Sequence, residues 1–415
     1  MKKHSDWIRF AMFCVVLIFM LAAINFVPKE LRARSSNYWR YLYNTSDHDD
    51  FDIVFLGNSH AQVGIIPEVV DDVLNTQSIS LITPGASILK TEHEVYEVVD
   101  ILQPDLILLE TAPLYGGRLQ TEWPEDFFSM YDLMPLSIKK MKYVFADLSP
   151  ENSFRYLFPV YDKHTIWKSP ERIFKDISLA LSGKGSKSTL KNQGYLQLTE
   201  LMSPLEAMPT DDFINNNECK TGEENARING LERILVLGDQ SKTQIALFEM
   251  PVLNKPEVTC NQYYLDKYRK LNGAYFEILS DSQLPLLWFR DVYHTSHFGA
   301  LQATLNMIQY LADDYGYIID GRKLEKYESL LFEDIEIEQE EGNVLIKLIP
   351  DQLRQSNDVF VSWALSKDGK EKYIKEDWNL FSVDLPLETG INSIHFSVTN
   401  TEVEYTIEGA IEIAE

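Results

Sequence analysis

The chain has 415 residues, of which 45% are hydrophobic, 12% aromatic and 24% charged. That balance excludes a disordered, collagen-like or disulfide-framework protein. A net charge of −25 at pH 7, from 38 Lys and Arg against 63 Asp and Glu, repels phosphate backbones and argues against nucleic acid as a partner. At roughly 100–200 residues per domain, the length suggests two domains.

Residues Phe10 to Ile24 carry no polar side chain. With Trp7, Ile8, Phe26 and Val27 they make a run of about 20, interrupted by Arg9 and Asn25, close to what ~30 Å of hydrocarbon requires. Lys2, Lys3 and Arg9 precede the run and Lys29, Arg32 and Arg34 follow it, so the charge bias is weak. A cleaved signal peptide and a buried core helix compete with an anchor, but no small-x-small cleavage motif follows. The expectation is a single-pass transmembrane helix over residues 7–27, within a segment 1–28. A juxtamembrane stretch at 29–50 and an extracytoplasmic, cell-envelope remainder would follow. Cys14 lies in that run, and Cys219 and Cys260 sit in loop-like surroundings. A disulfide suits an oxidising compartment, but sequence does not place the two within bridging distance, so both states stay open.

From Phe51 short apolar runs alternate with amphipathic stretches, the pattern of an α/β domain expected over 51–325. Ile53 to Leu56, Ile79 to Ile82 and Leu106 to Leu109 read as parallel strands, as do Ile234 to Leu237 and Ile245 to Phe248. Val95, Val98 and Leu102 mark a helix after the second strand. Leu301, Leu305, Ile308 and Leu311 mark a closing helix. An aromatic-rich insert at about 116–229 is too long for a bare loop and is expected to form a helical lid or subdomain. The acidic run Glu333 to Glu341 reads as a linker or a solvated edge. Beyond it Val359, Val361, Trp363 and Leu365, then Ile394, Phe396 and Val398, alternate with period two. A small antiparallel, sandwich-like β-domain is therefore expected over 330–415.

Two segments carry chemistry. Gly57-Asn58-Ser59-His60 follows the first strand, and parallel sheets place ligands at the carboxyl ends of strands. Asp291-Val292-Tyr293-His294 precedes the closing helix. A serine hydroxyl needs an imidazole to take its proton, and the imidazole needs a carboxylate to fix its tautomer. A metal reading would group His60, His294, His297 and Asp291, since imidazole and carboxylate suit zinc or manganese. The spacing is loose and there is no His-Glu-x-x-His helix, so no metal and no cofactor are expected.

Gly57-Asn58-Ser59 resembles the Gly-Asp-Ser block of the SGNH/GDSL hydrolases. Asp291 through Ala300 resembles the Asp-x-x-His-Leu-Asn-x-x-Gly-Ala segment of their extracytoplasmic branch, which includes the alginate O-acetyltransferases and the membrane-anchored protein of teichoic-acid D-alanylation. The resemblance covers about Phe51 to Asp314. It implies a three-layer domain with Ser59 as nucleophile, His294 as general base and Asp291 as its orienting acid. The Ser59 N–H and Gly85, at the family's second-block position, would be the oxyanion donors. The third block departs from the family: Leu108-Leu109-Glu110-Thr111 replaces Gly-x-Asn-Asp, so the usual Asn donor is missing. Asn58, His60, Glu110 and His297 are expected to line the cleft. His164 in the insert is read as structural.

The function implied is esterase or O-acyltransferase chemistry on a cell-envelope polysaccharide or related acyl-ester substrate. The anchor favours transfer beside a polytopic membrane acyltransferase. The alternative is a non-catalytic glycan-binding or scaffolding protein on the same fold.

Overall fold

The computed structural model describes residues 7, 12–17, 41–42, 50–115, 131, 137–157, 191–199, 201, 221–251, 275–278, 285–291, 293–340, 343–350, 359–367, 370–378, 382–386, 391–400 and 405–414. Two compact units emerge: Met1–His48 with Arg118–Leu190, and Asp49–Gly117 with Lys191–Glu415.

In the first unit, helix Ile138–Asp147 begins at Ser137, whose hydroxyl accepts the Lys140 N–H at 3.1 Å. Helix Pro150–Leu157 follows, and its Tyr156 meets the buried Tyr131 edge to face at 5.8 Å. The transmembrane helix expected over 7–27 is overturned: among the described residues no helix is long and apolar enough to cross a membrane. Of that span, residues 12–17 are a described helical piece.

The second unit carries β1 (Ile53–Leu56), α1 (Ser59–Gly64), α2 (Pro67–Leu74), β2 (Ser78–Ser80), α3 (Ile88–Ile101), β3 (Leu106–Glu110), α4 (Thr221–Gln240), β4 (Gln244–Glu249), β5 (Tyr275–Glu277) and α5 (His297–Tyr315). The strands form one parallel sheet in the order β2-β1-β3-β4-β5. Strand side chains alternate between faces. Ile53, Phe55, Leu106, Leu108, Ala246 and Phe248 therefore share one core with α2 and α5. Val54, Leu56, Ile107 and Leu109, of opposite parity, are also fully buried. Burial on both faces is why these strands read as unbroken apolar runs rather than alternating ones. Helices α3 and α4 pack on each other, and Arg233 of α4 grips Glu92 of α3 through two hydrogen bonds of 2.6 and 2.7 Å.

The strand expected at Ile234 to Leu237 lies inside α4. A run of four apolar residues does not distinguish strand from helix. Here the spacing of Ile228, Leu231 and Ile234, all buried, gives the helical face, and Val236 is left exposed. Strand β5, three residues long, adds to the expected strands. Residues 191–199 and 201, expected as part of the lid or subdomain, belong to the second unit. The His297 N–H donates to Leu198 O at 2.8 Å, and the Ala410 N–H to Thr199 O at 2.8 Å.

After helix α6 (Gly321–Glu328) come β6 (Phe332–Glu340), β7 (Asn343–Pro350), β8 (Val359–Lys367), β9 (Lys370–Trp378), β10 (Ser382–Pro386), β11 (Ile391–Asn400) and β12 (Tyr405–Ala414). They form antiparallel sheets β10-β7-β6 and β12-β11-β8-β9. Ile346 and Leu385 from the first sheet and Trp363 and Phe396 from the second bury into the same core as the α/β layer. The acidic run expected as a linker or a solvated edge is strand β6, at the edge of its sheet. Its acids alternate with Ile335 and Ile337, and Glu336 lies 3.6 Å from Lys347 Nζ across the β6–β7 ladder.

Candidate active site

Strand β1 has β2 on one side and β3 on the other, so the sheet order reverses at β1. Such a reversal opens a crevice beyond the carboxyl ends of the two central strands. The Gly57-Asn58-Ser59 turn leaves β1 there, beside Glu110 at the end of β3. A Cβ on Gly57 would stand 2.6 Å from the Glu110 Cβ, and Gly57 has φ +151°, so only glycine fits. Asn58 caps α1: its Oδ1 accepts the His60 N–H at 3.0 Å, and its own N–H donates to Glu110 Oε2 at 3.2 Å. Ser59 opens the helix, half-buried.

The opposing loop is shaped by its own hydrogen bonds. Phe289 and Thr295 form an antiparallel bridge, and the Arg290 N–H donates to His294 O at 2.9 Å. Asp291 Oδ1 accepts the N–H groups of Tyr293 and His294, each at 2.9 Å, the local bonding that aspartate favours in tight turns. Ser296 then caps α5, accepting the Gly299 N–H at 3.3 Å and donating to Leu287 O at 2.6 Å. The Thr295 hydroxyl donates to Val63 O at 3.2 Å, tying this loop to α1. A Cβ at Gly299 would lie 2.0 Å from Trp288 O, so the first turn of α5 and its loop approach each other through that glycine.

The two turns bring Ser59, His294 and Asp291 together. His294 Nε2 lies 2.9 Å from Ser59 Oγ, and Nδ1 lies 2.9 and 3.0 Å from the two Asp291 carboxylate oxygens. With the carboxylate accepting from Nδ1–H, the Nε2 lone pair faces the serine hydroxyl. Burial works to raise the Asp291 pKa, but the hydrogen bonds from the His294 ring and the two backbone N–H groups, with the attraction of His294, bring it down to about 2. Asp291 is therefore charged at neutral pH. Arg290 Nη1 stands 3.7 Å from the same carboxylate.

The other expected residues divide. His60 is in the site: its ring stacks on Tyr293 (centroids 6.0 Å, interplanar 5°) and meets His294 edge to face at 5.5 Å. Tyr293 was not among the expected residues; its place inside the Asp-x-x-His segment was the signal available. Glu110 is fully buried beneath the turn, where it binds Asn58 and faces His60 Nδ1 at 3.6 Å. Asn58 is 6% exposed and serves as a cap rather than a lining group. Gly85 lies in an exposed turn with φ +70°. His297 does not line the cleft. It is 2% exposed, with Nε2 3.0 Å from the Tyr405 hydroxyl of β12 and Nδ1 accepting the Glu408 N–H at 3.4 Å. Burial lowers its pKa to about 4. It sits on the helical side of the Ser296 cap, which turns it away from His294. Among the described residues, no three His, Cys, Asp or Glu side chains are grouped to hold a metal ion. Cys219, Cys260 and His164 lie outside the described residues.

No family model and no curated protein matches the chain. Among solved structures, a putative acylhydrolase from Bacteroides fragilis is 9% identical, covering 67% of this chain and 94% of its own, with a TM-score of 0.30. A gut microbial diltiazem-metabolizing enzyme is 9% identical over 81% of this chain and 72% of its own, at 0.23. A Cellulomonas fimi endo-beta-1,4-mannanase double mutant is 9% identical over 91% and 97%, at 0.16. Likeness this shallow carries no argument about fold or chemistry.

Proposed function

We propose that this protein performs serine-dependent acyl-ester chemistry, with Ser59 as nucleophile. The observation that carries it is the unbroken chain Ser59 Oγ, His294 Nε2, His294 Nδ1, Asp291 carboxylate, each step at 2.9–3.0 Å. Ser59 Oγ attacks the ester carbonyl carbon as His294 Nε2 takes its proton. The charged Asp291 supports the imidazolium. The Ser59 N–H stands at the first position of α1, where backbone donors have no partner within the helix, and serves as one oxyanion donor. The Gly85 N–H is the second that the sequence resemblance suggests. His294 then returns the proton to the leaving alcohol, and an acyl-Ser59 ester remains. A water or sugar hydroxyl attacks that ester, gives its proton to His294, and Ser59 leaves with it.

The substrate class we infer is an O-acyl ester of a cell-envelope glycan, on the sequence resemblance alone. Hydrolysis and transfer use the same three side chains, so the triad favours neither. The non-catalytic reading leaned on Glu110 in place of the amide donor. That carboxylate is engaged inward with the Asn58 N–H, which weakens the objection.

A fluorophosphonate probe tests the reading. The wild-type chain should form an adduct that Ser59→Ala and His294→Ala lack, and an unlabelled wild-type chain sinks the proposal. An acetyl donor offered with and without a glycan acceptor then separates hydrolysis from transfer.

A further inference from the structure

A second carboxylate–imidazole pair flanks the nucleophile, and the mechanism above leaves it unused. Glu110 is fully buried, and its Oε1 accepts no hydrogen bond among the described residues. A buried carboxylate oxygen without a donor is costly. The nitrogen facing it is His60 Nδ1, at 3.6 Å. A proton on Nδ1 satisfies that oxygen after a small ring rotation, and the same proton leaves Nε2 with a lone pair.

The ring has little freedom. Tyr293 covers one face in parallel, His294 packs against it edge to face, and the neighbouring Asn58 caps its backbone. Its side chain is 15% exposed, so an edge reaches solvent, and nothing among the described residues hydrogen-bonds Nε2. The crevice thus holds two oriented imidazoles, with ring centroids 5.5 Å apart. One is committed to Ser59. The other presents an acceptor beside it.

We propose that His60 is a specificity residue: its Nε2 accepts a hydrogen bond from a hydroxyl adjacent to the oxygen that carries the acyl group. The preferred substrate is then a polyol or sugar whose acylated oxygen has a hydroxyl neighbour, rather than a simple alcohol ester. Glu110 acts as the positioning residue that fixes the His60 tautomer. This deepens the acyl-ester reading and rests on it. No proton passes through His60, so the chemistry of Ser59 and His294 stays balanced as written above.

The test compares kcat/KM for a mono-O-acetylated methyl glucoside with that for p-nitrophenyl acetate, which has no hydroxyl beside its ester. One lost hydrogen bond is worth roughly tenfold. In His60→Phe the glucoside-to-nitrophenyl ratio should fall about tenfold or more. His60→Gln, whose Oε1 also accepts, should recover part of it. A ratio within twofold of wild type in His60→Phe overturns the inference, whether both activities fall together or neither does. If His60→Phe fails to fold, a ratio in His60→Gln matching that of His60→Ala overturns it equally. Fluorophosphonate labelling of the wild type, run alongside, separates the two claims. A labelled chain with an unmoved ratio loses only the His60 role, whereas an unlabelled chain loses both.

Discussion

Asp291→Asn is the sharpest test of the site, because the loop geometry dictates how the amide must sit. Oδ1 is held by the Tyr293 and His294 N–H groups at 2.9 Å, so the asparagine oxygen stays there as acceptor. The amide nitrogen then falls where Oδ2 stood, 2.9 Å from His294 Nδ1. Its N–H opposes a proton on Nδ1 and competes with the oxygen that stays 3.0 Å from the same nitrogen, shifting the ring proton to Nε2, which then no longer accepts from Ser59. The tautomer is wrong while every heavy atom is in place. The expected loss of kcat/KM is about 10³–10⁴-fold at pH 7, or roughly 4–5.5 kcal/mol of transition-state stabilisation. Stability should barely register the change. The Asp291 pKa falls from 3.8 to about 2, nominally about 2.5 kcal/mol, but its side chain is 39% exposed and solvent cuts this to about 1 kcal/mol. The lowered carboxylate stabilises the fold above pH 4, and that contribution is lost as pH falls from about 4 to about 2. Initial rates on p-nitrophenyl acetate, with thermal melts at pH 7 and pH 3, read both quantities. An Asp291→Asn chain that keeps activity within tenfold of wild type, while melting as wild type does, refutes the tautomer argument.

Gly57→Ala should destabilise by about 1–3 kcal/mol in urea titrations, since its Cβ would lie 2.6 Å from the Glu110 Cβ at φ +151°. A neutral effect would mean the turn relaxes freely. His297 is held neutral by burial, with its pKa lowered to about 4. The unfolded chain gains a proton below about pH 6.5 while the folded one does not, so stability should drop by about 3 kcal/mol from pH 7 to pH 4. In His297→Gln that slope should flatten, and an unchanged urea-midpoint profile would count against the buried placement. Glu94 is raised by burial to about 7. The unfolded chain releases its proton above pH 4.5, so stability declines towards pH 7 and then levels. Glu94→Gln should therefore be the more stable chain at pH 8, on the order of 1–3 kcal/mol by melting.

The parts of the fold that were legible are those where burial left one reading. β1, β3 and β4 are buried on both faces, so their apolar runs have few solutions beyond a central parallel strand. Where a run was short or charged, packing decided. Ile234 to Leu237 followed the helical spacing of Ile228 and Leu231. Strand β6 hid its alternation under its acids, and β5 is only three residues long. In the site, Asp291 and His294 were readable because three residues of loop suffice for their bond. His297 resembled them in sequence, and only the Ser296 cap between loop and helix separates their directions. The orientation of Glu110 depended on how closely β3 approaches the β1 turn, which no local pattern encodes.

That close approach also explains how the site keeps its geometry. A half-buried serine–histidine hydrogen bond contributes about 1 kcal/mol, too little to fix two turns 235 positions apart in sequence. Each arm is held by contacts that do not involve the other's reacting group. Ser59 is placed by Gly57 packed on Glu110 and by the Asn58 cap. His294 is placed by Asp291, the Phe289–Thr295 bridge and the Ser296 cap. The Thr295 hydroxyl on Val63 O then sets the spacing between the arms. The ordering cost is met by buried backbone and core contacts before any substrate arrives, which is the condition under which oriented donors and bases lower a barrier. The serine–histidine contact is a consequence of that framework and contributes little to holding it.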